Sequence, residues 1–94
     1  RGLLSEVRVD GRPVAVSEAE THPYLRVHVL GDRDVAVVAV LNYDESQAYR
    51  VAIASTGRSR CRPLWPMSGD DETARTVAFD VPAYESCAWL VRKE

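Results

Sequence analysis

The residue types that most often carry out chemistry are sparse in this 94-residue chain. His22 and His28 lie six positions apart, and neither has a cysteine or an acidic residue at the spacing of zinc ligands. His28 alternates with Arg26 and Tyr24, which predicts a solvated strand face. His22 precedes a proline in an expected loop. The histidines therefore predict no metal or catalytic centre.

Two acidic clusters contain oxygen ligands of the kind that calcium prefers. Asp32 and Asp34 flank an expected tight turn, and residues 70–72 lie in an expected loop. Turn formation and solubility explain both clusters better. The chain has no nucleophile elbow and no glycine-rich phosphate loop, and no pair of carboxyl groups is set up as in a glycosidase. We expect no catalytic residue, no metal and no cofactor.

Three arginines form a short basic stripe. Arg58, Arg60 and Arg62 are spaced i, i+2, i+4, so in an extended strand they point to the same side. Such a stripe could hold a sulfate, a phosphate or an acidic sugar. Solvation, or pairing with a carboxylate such as Asp80 on a neighbouring strand, is the favoured interpretation. We expect no nucleic-acid partner, because the stripe lacks interleaved aromatic residues and the net charge is −2.

Three aromatic residues in expected turns are candidates for binding carbohydrate, since a flat ring can pack against the apolar face of a sugar. They are Trp65, Tyr43 and Tyr84. For Trp65, between two prolines, a structural lid over the end of the fold is favoured over an exposed platform. Trp89 alternates with apolar neighbours and is expected in the core.

The two cysteines, Cys61 and Cys87, are 26 positions apart and fit no zinc spacing. They are a candidate disulfide. Two cysteines alone do not decide a redox compartment, so both an extracellular and a cytoplasmic location stay open.

The length of the chain suits a single domain with a single core. No window approaches the roughly 20 apolar residues of a membrane span, and the N-terminus lacks the layout of a signal peptide, so we expect a soluble domain without a membrane partner. Because the first residue is Arg1 and not Met, we expect residues 1–94 to be one domain of a larger multidomain protein.

Alternation of apolar and polar residues predicts short strands about ten residues apart, and no segment has a helical period. Asp10-Gly11 predicts a two-residue hairpin turn. The pattern indicates an all-β domain with seven or eight antiparallel strands in two packed sheets, an immunoglobulin-like or Greek-key sandwich. The predicted strands centre on residues 7–9, 14–16, 24–30, 35–41, 49–53, 77–81 and 87–91, with an extended stretch at 58–62.

One predicted strand, residues 35–41, is apolar on both faces. Such a strand is expected in the middle of a sheet, with one face on the core and the other face covered. It ends at Asn42-Tyr43-Asp44, whose side chains favour turns.

Three segments resemble a known family. Residues 35–43 (VAVVAVLNY), 63–69 (PLWPMSG) and 77–90 (VAFDVPAYESCAWL) are similar, in order, to the C-terminal β-sandwich domain of glycoside hydrolases of the alpha-amylase superfamily and of galactosidases. The resemblance covers about two thirds of the chain, from Tyr24 to Val91. It implies a noncatalytic accessory domain that packs against and stabilises the catalytic domain of the same polypeptide and sometimes contacts polysaccharide. The family's catalytic carboxylates lie in the barrel domain.

Three hypotheses follow. The leading one is the accessory domain of a carbohydrate-active enzyme. The first alternative is a carbohydrate-binding module that uses Trp65 with Tyr43 or Tyr84. The second is an immunoglobulin-like or fibronectin-like protein-interaction module, for which a Cys61–Cys87 disulfide would be expected.

Overall fold

The computed structural model describes residues 3–14 and 24–94, and these residues are mostly β-strand. No helix occurs within the described ranges, so the all-β prediction is confirmed. The strands are β1 (Leu4–Val9), β2 (Arg12–Val14), β3 (Leu25–Gly31), β4 (Val35–Asn42), β5 (Tyr49–Trp65), β6 (Glu72–Val81) and β7 (Ser86–Lys93).

The predicted first hairpin forms between β1 and β2. Val9 lies opposite Arg12, so Asp10 and Gly11 make a two-residue turn. Both have positive φ, +50° at Asp10 and +84° at Gly11, as this tight turn requires. Val16, at the end of the predicted second arm, lies outside the described residues.

The strands form one antiparallel sheet that curls into a half-barrel. The strand order is β2-β1-β5-β7-β4-β3, and β6 pairs with the other edge of β5. Two separate stacked sheets are not confirmed, because β5 hydrogen-bonds to strands of both halves and joins them.

The long strand β5 accounts for the curl. Over its first half it pairs with β1, through residues 51–55, and over its second half with β7, through residues 59–65. Its pairing with β6 shifts register between Ala54 and Ser59. A bulge of this kind bends a strand and increases its twist, so the two halves of β5 run in different directions.

The prediction of a loop at the two prolines, Pro63 and Pro66, is wrong in part, because β5 continues through Pro63 to Trp65. Pro63 lies opposite Trp89, next to a second register shift. Beyond Cys61, β5 pairs with β7 alone, so one edge of the strand is free of a ladder there. A proline is tolerated at a bulge or on an open edge because no ladder hydrogen bond needs its missing N–H.

The core fills the concave side of the half-barrel. The period-two pattern places alternate valines inward, and the most deeply buried come from five strands. They are Val7, Val38, Val40, Val51, Val81 and Val91.

A stacked pair of rings packs against this core. The centroids of Phe79 and Trp89 lie 5.4 Å apart, with 25° between the ring planes. Phe79 is opposite Val51 and Trp89 is opposite Pro63, positions that about 40 Å of extended chain would separate. The rings therefore meet only because the sheet curls.

Asn42 ties the end of β4 to three other segments. It is 3% exposed, and its Oδ1 accepts a hydrogen bond from the backbone N–H of Asp44 at 2.8 Å. The two N–H groups of its Nδ2 are shared among three backbone carbonyl oxygens, those of Gln47 (2.9 Å), Pro82 (3.0 Å) and Val81 (3.2 Å). One amide thus fixes the start of β5 and the β6–β7 connection against β4.

Replacing this amide tests its role. We expect Asn42→Ala to lower the free energy of unfolding by about 2–4 kcal/mol, because buried carbonyl oxygens lose their donor. Urea denaturation measures the change. Gln47→Ala is the matched control, since Gln47 is exposed and contributes only its backbone oxygen. Equal stability of the two variants would contradict the assigned role.

Candidate functional site

The face of β3, β4 and β7 that points away from the core is largely apolar. Residues directly opposite each other in a ladder share a face. One row across the sheet is Leu30, Val37 and Leu90, and the next includes Ala39 and Ala88. We call this surface the outer apolar face. Its members are Leu30, Val35, Val37, Ala39, Leu41, Ala88 and Leu90.

The outer apolar face is only partly covered by the domain itself. Leu30 is 70% exposed and Val35 is 43% exposed, and the other members are half-buried by their neighbours in the sheet. By contrast, Ala36, Val38 and Val40, the inward residues of the same strand β4, are at most 2% exposed. The predicted two-sided apolar strand is therefore present in the middle of the sheet, but its second face, expected to be covered, lies at the surface of the described part of the chain.

Arginines border the outer apolar face on its β5 side. In the ladder, Arg62 is opposite Leu90, and Arg92 is opposite both Val35 and Arg60. We call Arg60, Arg62 and Arg92 the basic rim. The outer apolar face thus has a positively charged border. Trp65 lies farther along β5 than Arg62, opposite Ala88.

A single carboxylate serves two members of the basic rim. Arg62 Nε donates to Asp71 Oδ1 at 3.0 Å, and Arg92 donates to Asp71 Oδ2. The hydrogen bond from Arg62 and the charges of nearby guanidinium groups hold the pKa of Asp71 below its usual value. Nε of Arg92 is buried and has no hydrogen-bond partner among the described residues. The basic rim therefore has an N–H donor, that of Arg92 Nε, that is not hydrogen-bonded to any described residue.

The rest of the predicted arginine stripe is paired differently from expectation. Asp80, the partner suggested for the stripe, contacts Arg50 at 3.2 Å. Arg58 Nε lies 3.8 Å from a carboxylate oxygen of Glu94, a long ion pair between exposed groups. Arg58 and Arg62 of the stripe therefore contact different carboxylates, those of Glu94 and Asp71.

Two of the three candidate carbohydrate-binding aromatics come together. Tyr43 and Tyr84 line a shallow concavity of about 230 Å³, and the guanidinium of Arg26 lies 5.7 Å from the centroid of the Tyr43 ring. Trp65 is not in this lining. Trp65 lies opposite Ala88 of β7, whereas Tyr84 lies in the turn before β7 begins at Ser86.

The two cysteines are free thiols, so the candidate disulfide is not present. Cys61 lies opposite Val91, which is four residues, or about 13 Å, from Cys87 along β7. A disulfide needs Cα atoms within about 7 Å. Burial raises the pKa of both thiols, that of Cys87 to about 11, and Glu72 and Asp71 add to the rise at Cys61.

The remaining candidates form no reactive centre. His28 lies opposite Ala39 on the outward side of β3, and His22 lies outside the described residues. The carboxylate of Asp32 accepts the backbone N–H groups of Asp34 (2.8 Å) and Val35 (3.1 Å), which lower its pKa and build the predicted turn. Within residues 3–14 and 24–94, no three His, Cys, Asp or Glu side chains converge as metal ligands.

Sequence reasoning missed a second cavity, of about 610 Å³, at the opposite end of β4 and β7. Its lining comes from four separated segments and includes Arg33, Arg58, Ser59 and Lys93. No spacing along the chain links these residues, because the curl of the sheet assembles them.

Comparison with models of protein families, with curated proteins and with solved structures finds no match for this chain. The resemblance to glycoside hydrolase accessory domains therefore stays a prediction. The part of the chain that the structure describes contains no helix long and apolar enough to cross a membrane.

The state of the thiols gives a direct test. We expect the mass of the denatured, alkylated chain to be the same with and without prior reductant, with two alkyl groups added in each case. In the folded chain, alkylation should be at least tenfold slower than in urea, because both thiols are buried and have raised pKa values. Loss of both alkylation sites in unreduced protein would contradict the free-thiol assignment.

Proposed function

We propose that this chain is a noncatalytic accessory domain that packs against the catalytic domain of the same polypeptide, a glycoside hydrolase, through the outer apolar face. The observation that carries the proposal is the row of Leu30, Val37 and Leu90 across three strands, on the side of the sheet away from the core. Leu30 is exposed and Val37 and Leu90 are partly exposed, and larger contiguous apolar surface marks interaction sites in soluble proteins. The choice of a glycoside hydrolase as parent rests on the resemblance of residues 35–43, 63–69 and 77–90.

The border of the surface supports the same interpretation. Interfaces commonly have an apolar centre and a polar border, and arginine is enriched in them. The basic rim provides such a border along one side, and Asp71 already holds Arg62 and Arg92 in place. The cost of ordering these long side chains on binding is thereby reduced.

We also propose that the half-barrel acts as the two layers of a sandwich. The stacking of Phe79 on Trp89 supports this description, since the rings come from strands on opposite edges of β5 and pack face to face. The layer that contains β3, β4 and β7 would then present the outer apolar face on its side away from the other layer.

The proposal is tested in the longer polypeptide that carries this chain. We expect Leu30→Lys to lower its thermal midpoint by a few degrees, because a lysine in an apolar interface costs about 1–3 kcal/mol and each kcal/mol shifts the midpoint by about 2–4 °C. In the 94-residue chain alone, the same change should alter stability by less than about 0.5 kcal/mol, since Leu30 is 70% exposed.

Met67→Lys is the matched control for that experiment. Met67 is 74% exposed, lies in the loop after β5 and is not a member of the outer apolar face. Its substitution should leave the longer polypeptide unchanged. Equal midpoints for Leu30→Lys and Met67→Lys would reject docking through this surface.

A second candidate function, carbohydrate binding, is favoured by the concavity that Tyr43 and Tyr84 share. Tyr84 is 70% exposed and has a left-handed backbone, with φ of +58°, which costs a non-glycine residue about 1–2 kcal/mol. A strained, exposed aromatic residue is an observation from which a binding role can be proposed.

Isothermal titration with starch, xylan and galactan oligosaccharides tests this candidate. We expect one of these glycans to bind the chain and Tyr84→Ala to weaken that binding about two- to tenfold, because an aromatic contact is worth about 0.5–1.5 kcal/mol. Trp65→Ala should leave the affinity unchanged, since Trp65 is outside the concavity. Absence of heat with all three glycans would exclude this function.

A further inference from the structure

The cavity of about 610 Å³ is built at one end of the half-barrel, where several strands begin or end. Leu3 precedes β1, Arg33 is in the turn between β3 and β4, and residues 56–59 span the bulge of β5. The end of β7 completes the lining. Its volume is within the range of about 300–1,000 Å³ typical of small-molecule sites, and the mouth of a β-barrel is a common place for one.

Positive charge predominates in this cavity. Arg33, Arg58 and Lys93 come from three separate segments, and Glu94 is the one acidic residue among the described residues of the lining. Glu94 lies 3.8 Å from Arg58, and both side chains are largely solvated, at 45% and 67% exposure, so the pair is weak. The other two cationic residues, Arg33 and Lys93, have no carboxylate partner among the described residues of the lining. This local excess is opposite in sign to the net charge of −2 of the chain.

Asp32 and Asp34 flank Arg33 in the chain, and their charges reduce the positive potential there, although neither belongs to the cavity lining. The carboxylate of Asp32 is engaged by two backbone N–H groups of its own turn. Asp34 is exposed and is not among the lining residues, and its backbone oxygen accepts from the backbone N–H of Lys93 at 2.8 Å. That bond also fixes the end of β7 beside the turn that carries Arg33.

Ser59 adds an unused hydroxyl to the lining. It is 1% exposed, and its Oγ has no hydrogen-bond partner among the described residues. Buried hydroxyl groups in native proteins usually have a partner. Ser59 lies opposite Lys93 in the ladder, so these two residues share a face of the sheet.

We propose that this cavity binds a small anionic molecule through an oxyanion group, a phosphate, sulfate or carboxylate. Arg33, Arg58 and Lys93 supply the positive charge, and the Ser59 hydroxyl supplies a hydrogen bond at the inner end. Guanidinium groups suit such ligands because their paired N–H donors match two oxygens of one group. Glu94 opposes the ligand and competes for Arg58. This site is independent of the docking surface and of the proposed accessory role.

The test is titration of the 94-residue chain, at constant ionic strength, with inorganic phosphate, sulfate and glucuronate, and with glucose as the neutral control. We expect saturable binding of at least one anion and none of glucose. The thermal midpoint should rise with the concentration of that anion, because the ligand stabilises the state that binds it. The preferred anion identifies the oxyanion class. Failure of all three anions to bind saturably would overturn the proposal.

Variants locate the site. Arg58→Ala should weaken binding at least fivefold, and Glu94→Gln should strengthen it. Arg50→Ala is the matched control, since Arg50 is on the same strand, is comparably exposed (58% against 67%) and pairs with Asp80 away from the cavity. Equal weakening by Arg50→Ala and Arg58→Ala would show nonspecific attraction to surface charge and would overturn the site.

The hydroxyl has its own test. Ser59→Ala removes a group that has no partner in the described protein, so the unfolding midpoint without ligand should stay the same or rise. Its affinity for the anion should fall about threefold or more. Unchanged affinity would overturn the role of Ser59, and circular dichroism confirms that each variant is folded.

Discussion

β4 is apolar on both faces, and among the described residues only one of these faces is fully buried. Ala36, Val38 and Val40 are at most 2% exposed in the core, and Val37, Ala39 and Leu41 alternate with them on the opposite side. A strand of this composition cannot avoid presenting apolar side chains on both sides, because successive residues point to opposite faces. The proposed docking surface is a direct consequence of this constraint, and the strands on either side of β4 extend it.

The rest of the architecture holds β4 in this position. The bulge of β5 lets a single strand serve β1 and β7 in turn, which closes the core on the concave side and leaves the other side open. Asn42 fixes the end of β4 to the β6–β7 connection, and the backbone N–H of Asn42 also donates to the Glu85 oxygen at 2.8 Å. The same curl brings Arg33, Arg58 and Lys93 to one cavity. Core, outer apolar face and cavity therefore depend on one bent strand.

Local patterns predicted local features well. The alternation of residues, the Asp10-Gly11 turn and the two-sided strand at 35–41 are all present, because period and turn chemistry act over a few residues. The single curled sheet was not predicted, since it depends on one bulge in β5 between Ala54 and Ser59. A single glycine, Gly57, does not by itself distinguish a bulge from a turn. The cavity lining was missed for the same reason. The registers of β4 and β5 against β7 likewise decide that Tyr43 lies near Tyr84 and that Trp65 does not.

Hydroxyl-radical footprinting most directly tests the central claim that the outer apolar face is buried against a neighbouring domain. The oxidation rates of Leu30 and Leu90 are compared between the chain alone and the proposed longer polypeptide, in which it is joined to a catalytic domain. Burial of this face predicts that both leucines are oxidised severalfold more slowly in the longer polypeptide, while Met67, which is 74% exposed, reacts at the same rate in both. Equal rates for the two leucines in both proteins would contradict it.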